Sequence, residues 1–312
     1  MAHLHFFVRL LVSGITISIL MSLCEAEEPP FELYTVERHE IESKIVGQTF
    51  TISVQLPIRL KDGSERFPVL YVTDAITDSR FERENFYMQW LGDIPRFIAV
   101  SVGYPTWAEW QLRDRDFTPT DTGPVEAYGG FIDFGSIPFE GVRTGGAANF
   151  LKFLREELKP FIDKNYPTIP QDSGYFGDSL GGLFGLYVLL NEPTTFNRYI
   201  LGSPSTWWDN EVIMKQAEAF GASGRTINAR LLMSAGALEE DEHHMVSNIP
   251  RLETSLSNVK GLQIETYVFP DESHMTVESM NYIRGVQWTY KTAEPWFYDA
   301  YKTKKETDKG PN

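Results

Sequence analysis

The sequence predicts a three-layer α/β fold, with a mostly parallel central sheet flanked by helices on both faces. Short, nearly continuous apolar runs are typical of strands that are buried on both faces. Helical patterns lie between these runs, as expected when parallel strands are joined by crossover connections. Because such crossovers are right-handed, one continuous sheet is the simplest topology. The runs are PVLYVTDA, FIAVSVG, GYFGDS, RYILGS, ARLLMSAG and IETYVF.

An earlier strand has a different pattern. Its apolar residues alternate with polar ones and the segment stops at Pro57, which is typical of a half-buried edge strand. The apolar positions are Phe50, Ile52, Val54 and Leu56.

Two of the intervening segments have clear helical patterns. In residues 145–167 apolar residues recur at helical spacing, and charged residues occupy another face. These apolar positions are Phe150, Leu154, Leu158 and Ile162. Residues 182–190 are small and apolar, as expected of a helix packed against a sheet. Residues 104–145 have no clear period, and because ligands of open α/β sheets bind at the carboxyl ends of strands, we expect this segment to form a wall of the substrate site.

The N-terminus is predicted to be a signal peptide over residues 1–26. Arg9 supplies its positive charge, a mostly apolar run follows, and residues 24–26 carry small side chains at both ends of a cleavage triplet. The apolar run is shorter than the roughly 20 residues that span a bilayer. We therefore expect a periplasmic or secreted protein with no membrane span in its mature form.

The composition excludes several classes of protein. The chain has 312 residues and a single Cys, which excludes a disulfide scaffold. Its formal net charge of −15 argues against nucleic acid as a partner, because such binding depends on neutralising phosphates. Residues 27–301 are predicted to form a single domain, and residues 302–312 a flexible charged tail.

A nucleophile motif ends the strand GYFGDS. The segment Gly177-Asp178-Ser179-Leu180-Gly181 fits the G-x-S-x-G pattern and leads directly into a helix of small residues. At such a sharp strand-to-helix turn the central residue holds a strained backbone, which flanking glycines accommodate. The motif therefore predicts Ser179 as a nucleophile.

A serine hydroxyl needs a base, and His274 is the best candidate. It follows the last strong strand in the loop PDESHMT, which fits the chain order nucleophile, acid, base. The acid should follow the preceding strand, where Glu239 is our choice because it lies closest to the strand end, and Glu240 and Asp241 remain alternatives. The same run, EEDEHH, is not predicted to bind metal, since consecutive residues cannot all converge on one ion.

With these residues in order, the chain resembles the putative-esterase family of α/β-hydrolases, which contains esterase D-like enzymes and enterochelin-type siderophore esterases. The resemblance covers most of the mature chain. It rests on LYVTDA, RDRDFTP, GGAANFLKFLREELKPFIDKNY, GYFGDSLGG, LGSPSTWW, MSAGALEE and VFPDESH. It implies the α/β-hydrolase fold, with Ser179, His274 and Glu239 carrying catalysis.

The resemblance and the motifs imply the same chemistry: hydrolysis of carboxylic esters through an acyl-enzyme, with no cofactor. His274 would deprotonate Ser179, and backbone N–H groups would hold the oxyanion. We expect these donors to be Leu180, after the nucleophile, and Ala75 or Ile76. The expected partner is a small-molecule ester, with a siderophore or another large aromatic or acyl ester as candidates.

Two other functions remain open from the sequence. An acyltransferase would use the same three residues, but it needs a second acceptor site and the exclusion of water. A binding protein would keep the fold without activity.

Aromatic and basic residues near the predicted site are candidates for binding substrate. Trp107 and Trp207 are the main aromatic candidates, and Arg113 and Arg115 the basic ones. The other aromatic candidates are Trp110, Phe131, Phe134 and Trp208. The alternative for the arginines, together with Arg143, is that they pair with Asp114, Asp116 and Asp133 and brace the loop.

Overall fold

An eight-stranded sheet forms the centre of the computed structural model, which describes residues 35–57, 65–76, 81–91, 94–125 and 141–290. The strands are β1 Val36–Ser43, β2 Gln48–Gln55, β3 Phe67–Ile76, β4 Ile98–Tyr104, β5 Thr168–Asp178, β6 Arg198–Gly202, β7 Thr226–Gly236 and β8 Lys260–Phe269. Their spatial order is β1-β2-β4-β3-β5-β6-β7-β8. The pairs β1–β2 and β2–β4 are antiparallel and the others are parallel. The predicted mostly parallel sheet is confirmed.

Some predictions fall on residues that are not described. The predicted signal peptide and the predicted tail lie outside the described residues, as do Phe131, Asp133 and Phe134.

Helices cover both faces of the sheet. They are α1 Glu82–Leu91, α2 Trp107–Trp110, α3 Arg113–Asp116, α4 Ala147–Phe153, α5 Lys159–Asn165, α6 Leu180–Asn191, α7 Trp208–Ala222, α8 Glu240–His243, α9 Met245–Leu256 and α10 His274–Thr289. One apolar core includes residues of α4, α6, α7 and α9, and the other includes residues of α1 and α10. Within the described ranges, no helix has both the length and the apolar character to cross a membrane.

The central strands are apolar at consecutive positions because both of their faces are buried. In β3, Val69 and Tyr71 belong to one core, whereas Leu70 and Val72 belong to the other. All four side chains are at most 1% exposed. Successive residues of a strand point to opposite faces, so a strand between two helical layers needs apolar residues at every position.

The long helical pattern of residues 145–167 contains a feature that its spacing explains. A π-helical turn, Leu154–Leu158, joins α4 to α5. The apolar residues recur every four positions, whereas an α-helix has about 3.6 residues per turn, so a regular helix would rotate them away from the core. The wider π turn compensates for part of this drift. Phe150, Leu154, Leu158 and Ile162 are all at most 1% exposed.

Two predictions about strand exposure are wrong. The strand of Phe50 to Leu56 is not at an edge, because β1, which the sequence pattern did not reveal, pairs along its outer side. The strand IETYVF is not buried on both faces, because β8 is last in the sheet order and Tyr267 and Val268 are exposed. In both cases the position in the sheet, rather than the apolar pattern, determines the exposure.

Candidate active site

The candidate nucleophile lies at a sharp turn between β5 and α6. Ser179 has φ 59° and ψ −119°, a left-handed conformation that non-glycine residues rarely adopt. Its N–H donates to Gly202 O at 3.0 Å, and its carbonyl accepts the N–H of Ser205 at 3.0 Å. These bonds, to the last residue of β6 and to the segment after it, hold the strained turn in place, as is typical of functional sites.

Two glycines, one on each side of the nucleophile, are required by close backbone approach. A Cβ on Gly182 would lie 2.7 Å from Gly202 O and 2.9 Å from Pro204 Cα. A Cβ on Gly177 would collide with the backbone of Gly181. Larger residues at either position would force α6 away from β5 and β6, and Ser179 with it.

The carboxylate of Glu239 and the imidazole of His274 meet at the carboxyl edge of the sheet. His274 Nδ1 and Glu239 Oε1 are 3.0 Å apart. Glu239 lies in the 3₁₀ turn Ala237–Glu239 directly after β7, and His274 is the first residue of α10 rather than part of a loop. The glutamate side chain is 3% exposed and the histidine 39%. The pair is therefore shielded on the acid side and open to solvent on the base side.

The environment raises the pKa of His274 above its usual value. The hydrogen bond to Glu239 is the main cause; burial opposes it, and the charge of Asp178 adds to it. Arg113 acts in the opposite direction. A base that is stabilised in its protonated form accepts a proton more readily.

Backbone and side-chain bonds select Glu239 among the acidic residues that follow β7. Its Oε2 accepts the Gly236 N–H at 3.2 Å, and its Oε1 accepts the Ser203 hydroxyl at 3.0 Å. Glu240 instead accepts the N–H of Ser247 at 2.8 Å in an exposed position. The structure does not describe the side chain of Asp241.

Of the predicted oxyanion donors, Leu180 directly follows the nucleophile, and Ala75 and Ile76 end a neighbouring strand of β5. Leu180 is the first residue of α6, where helix geometry leaves the backbone N–H without an intrahelical acceptor. Ala75 and Ile76 end β3, directly after Asp74, which has φ 63° and coincides with a register shift between β3 and β4. Asp74 lines a cavity together with Ser179.

Two cavities meet at Ser179 and His274. One, of about 490 Å³, is also lined by Ser205, Trp207, Leu238, Glu239, His243, Met245 and Ser273. The other, of about 290 Å³, is also lined by Asp74, Trp110, Arg113, Asp178, Met275 and Glu278. An ester bound at Ser179 would have space on both sides of its carbonyl group.

Among the predicted aromatic residues, Trp207 and Trp110 line these cavities. Trp207 stacks on the ring of His243, with centroids 4.7 Å apart. Trp208 instead donates its indole N–H to Thr120 at 3.1 Å and so anchors the segment after β4. Trp107 lies in α2, and its side chain is not described.

The arginines form ion pairs, but not all with the predicted partners. Arg113 binds Asp74 through two hydrogen bonds of 2.6 and 2.8 Å, and both side chains are buried. Arg115 binds its neighbour Asp116, as the bracing alternative predicts. The third arginine, Arg143, pairs with Asp121 rather than with Asp133. Arg113 lines the smaller cavity, whereas Arg115 lines neither cavity.

A buried polar network lies behind the site and was not predicted from the sequence. Asn281, on α10, donates to Asp178 at 2.8 Å and lies 3.4 Å from Ser203 Oγ, while Ser234 donates to its carbonyl oxygen at 2.7 Å. It is fully buried. The network connects the residue before the nucleophile to the hydroxyl that binds Glu239. The available signal was a polar residue among the apolar residues of the segment that forms α10.

Sheet order and the turn at Ser179 define an α/β-hydrolase.

A family model described as Putative esterase matches residues 138–244. The chain is 34% identical over 225 residues to the ferri-bacillibactin esterase BesA of Bacillus subtilis, covering 68% of this chain and 74% of that protein. It is 33% identical over 136 residues to a siderophore enterobactin esterase of Emericella nidulans, covering 39% of this chain and 40% of that protein. The crystal structure of the BES protein from Bacillus cereus has a TM-score of 0.69 and 27% identity, covering 86% of this chain and 100% of that one. The chain therefore belongs to the putative esterase family, and it is a carboxylesterase.

Proposed function

We propose that the protein is an exported serine esterase that hydrolyses siderophore esters, with Ser179 as nucleophile, His274 as base and Glu239 as the acid that orients it. The catalytic part rests on one observation: Ser179, Glu239 and His274 line the same cavity, with the acid hydrogen-bonded to the base. Export rests on the pattern of residues 1–26 alone.

The reaction follows the acyl-enzyme route. His274 takes the proton of Ser179, whose oxygen attacks the ester carbonyl, and the N–H of Leu180 and that of Ala75 or Ile76 hold the oxyanion. The C–O bond of the ester then breaks, and His274 gives its proton to the leaving alcohol. A water molecule, deprotonated by His274, releases the acid and restores the hydroxyl of Ser179. Glu239 stabilises the imidazolium in both steps.

The siderophore part rests on the relatives. Ferri-bacillibactin, enterobactin and triacetylfusarinine C are the esters that their names give. Such esters are large, and two cavities of about 490 and 290 Å³ at one nucleophile suit a bulky group on each side of the carbonyl.

Activity and labelling of two serine variants test the nucleophile. The wild type should cleave p-nitrophenyl acetate, and a fluorophosphonate should label the peptide that contains Ser179. Ser179→Ala should lose the label and at least about 10³-fold of the activity.

Ser205→Ala is the matched control, because its hydroxyl lies 3.4 Å from Ser179 Oγ and is the alternative nucleophile in the same cavity. This variant should still be labelled at Ser179. Labelling of Ser205 in the wild type, or full activity of Ser179→Ala, would contradict the proposal. A siderophore ester that is cleaved with lower kcat/KM than p-nitrophenyl acetate would contradict its substrate part.

A further inference from the structure

We propose that a cavity at the amino edge of the sheet is a second ligand site, which binds a phosphate monoester of a small polar molecule. The cavity measures about 610 Å³ and lies where β5, β6 and β7 begin, whereas Ser179 follows the end of β5. The described residues that line it all differ from those that line the two cavities at Ser179. The inference therefore goes beyond the proposed function and does not depend on it.

The described lining of this cavity contains basic side chains and no carboxylate, in a chain with a formal net charge of −15. The basic residues are Arg155, Lys159 and Arg225. Arg155 forms an exposed ion pair with Glu192 at 3.1 Å, so its charge is largely balanced. The guanidinium of Arg225 lies 5.4 Å from the ring centroid of Phe220, a contact that leaves its net charge in place. Lys159 and Arg225 are therefore the cations that a ligand can use.

The ammonium group of Lys159 is held in a defined position. It donates to Ser173 Oγ at 2.7 Å, and the Ser173 hydroxyl donates in turn to the carbonyl oxygen of Thr195 at 3.4 Å. It also lies 5.0 Å from the ring centroid of Tyr71 and 5.1 Å from that of Phe196. An ammonium group carries three N–H donors, and the bond to Ser173 uses one of them. The others are available to an acceptor in the cavity.

The charge of Lys159 is only partly compensated within the fold. Burial lowers its pKa to about 8, and the carboxylate of Asp163 opposes this shift. Asp163 accepts the hydroxyl of Thr168 at 2.7 Å and does not line the cavity. Near neutral pH the ammonium is therefore charged but poorly solvated, and an anion bound in the cavity would stabilise it.

A buried hydroxyl next to this ammonium also offers a donor. Thr195 lines the cavity and is 6% exposed, and its Oγ1 has no hydrogen-bond partner among the described residues. Buried polar groups in native proteins nearly always have such a partner. An anionic oxygen would accept from both Lys159 and Thr195, which the Ser173 hydroxyl connects. Bonds of this kind to a charged acceptor are stronger than neutral ones.

The charge and the size of the cavity select a doubly charged group on a larger polar body. A phosphate monoester carries nearly two negative charges at neutral pH, which matches Lys159 and Arg225. The volume lies within the range of about 300–1,000 Å³ that is typical of small-molecule sites, and it exceeds what a phosphate ion fills. Exposed polar side chains on the rest of the wall suit hydroxyl groups of such a ligand. They are Gln171, Thr194 and Asn228.

Calorimetric titration of the full chain with α-glucose 1-phosphate tests the inference, at about pH 7.5 and low ionic strength. We expect a Kd of about 0.1–1 mM. Methyl α-glucoside lacks the phosphate and inorganic phosphate lacks the sugar, so each should bind at least about tenfold more weakly. If methyl α-glucoside binds as tightly as the phosphate ester, the charge is not recognised. If inorganic phosphate does so, the site does not select an organic ligand.

Three variants locate the ligand. Lys159→Met and Arg225→Gln should each weaken binding by about tenfold or more, because each removes a charged donor. Thr195→Val keeps the shape of the side chain and removes only its hydroxyl, so it should weaken binding by about threefold to tenfold. Lys164→Met is the control, since it removes the same charge as Lys159→Met from an exposed position of α5 outside the cavity. Urea unfolding verifies that each variant is folded.

The control should bind α-glucose 1-phosphate as the wild type does. Equal losses in Lys164→Met and Lys159→Met would show a response to overall charge alone and would overturn the inference. Unchanged binding in both Lys159→Met and Arg225→Gln would overturn it as well.

Kinetics with p-nitrophenyl acetate separate the two proposals. At concentrations that saturate the calorimetric site, α-glucose 1-phosphate should not compete with the ester. Competitive inhibition with a constant equal to the Kd would place the ligand at Ser179 and overturn the inference while the esterase proposal stands. Loss of all hydrolysis in the wild type would contradict the proposed function only, because the calorimetric result does not depend on catalysis.

Discussion

The two edges of the parallel sheet each carry a cavity, and the larger one lies away from the candidate nucleophile. At the amino edge, where β5, β6 and β7 begin, a cavity of about 610 Å³ is lined by residues that include Lys159 and Thr195. At the carboxyl edge, the two cavities at Ser179 and His274 measure about 490 and 290 Å³. Volume alone therefore does not identify the site.

Backbone strain separates the two edges clearly. Within the described ranges, the non-glycine residues with positive φ at or next to the carboxyl end of a strand are Asp74, Ser179, Ser203 and Asp271. The others lie inside or between helices: Asp209, Asn210, Glu211 and His244. Two described glycines with positive φ lie at the amino edge. Gly224 precedes β7, and Gly261 lies at the start of β8. Strain of about 1–3 kcal/mol per residue persists where the fold holds side chains for function, and glycine avoids it where only a turn is needed.

The charged groups at the two edges differ in the same way. At the carboxyl edge, the bond to Glu239 raises the pKa of His274. At the amino edge, burial lowers the pKa of Lys159 to about 8. His274 gains a partner for its charged form. Lys159 mainly loses contact with solvent, although its ammonium donates to Ser173 at 2.7 Å.

The largest expected effect at the carboxyl edge comes from neutralising the acid. Glu239→Gln keeps the shape of the side chain but loses the charge that orients and stabilises the imidazolium, so kcat should fall by about 10²–10⁴-fold. Glu240→Gln removes an exposed charge one residue away and should change kcat by less than about threefold. Steady-state kinetics on p-nitrophenyl acetate measure both. If the two variants are equally impaired, Glu239 is not the catalytic acid.

At the amino edge the expected effect is on stability and depends on pH. The pKa of Lys159 is lowered in the folded protein, so burying its charge costs stability below pH 8. Between about pH 8 and 10.5 the folded state loses this proton before the unfolded state does, and the free energy of unfolding rises with pH. In Lys159→Met this rise is absent. The stability of the variant relative to the wild type should therefore fall across this window, by about 3 kcal/mol.

Urea unfolding of both proteins at several pH values measures this difference. Lys164→Met, at an exposed position of the same helix α5, is the control and should show no such trend. A constant difference between Lys159→Met and the wild type would show that burial does not penalise this charge. Esterase activity should be retained in Lys159→Met, because the residue lines only the cavity at the opposite edge.

The smallest effect concerns the pH profile at the carboxyl edge. His274 acts as a base only when it is neutral, so kcat/KM should rise with pH through its pKa, with a midpoint above 6.5. The charge of Asp178 contributes to the raised pKa of His274, so Asp178→Asn should move this midpoint to lower pH. Asp271→Asn, an exposed change in the loop before α10, is the control and should leave the midpoint in place. A midpoint that stays in place or rises in Asp178→Asn would contradict the electrostatic role of this carboxylate.

Most of the fold was predictable because its signals are local. The six apolar runs correspond to β3 through β8, and the helix pattern of residues 145–167 corresponds to α4, the π turn and α5. β1 was missed because its sequence, VERHEIES, is largely polar. A strand of this kind is stabilised by pairing with β2 rather than by burying both faces.

The sequence by itself determined the order of the catalytic residue types along the chain and the strands that they follow. A serine lies in a glycine-rich turn, an acidic run follows the next-to-last strand and a histidine follows the last one. Only the tertiary structure decided which carboxylate reaches His274 and that Arg113 pairs with Asp74. It also decided that Asn281 donates a hydrogen bond to Asp178, which lies 103 positions earlier in the chain. Local patterns report the periodicity and backbone preferences of a segment. Partners of buried polar groups are chosen instead by packing between distant segments, because each such group must find a hydrogen bond where the fold has placed it.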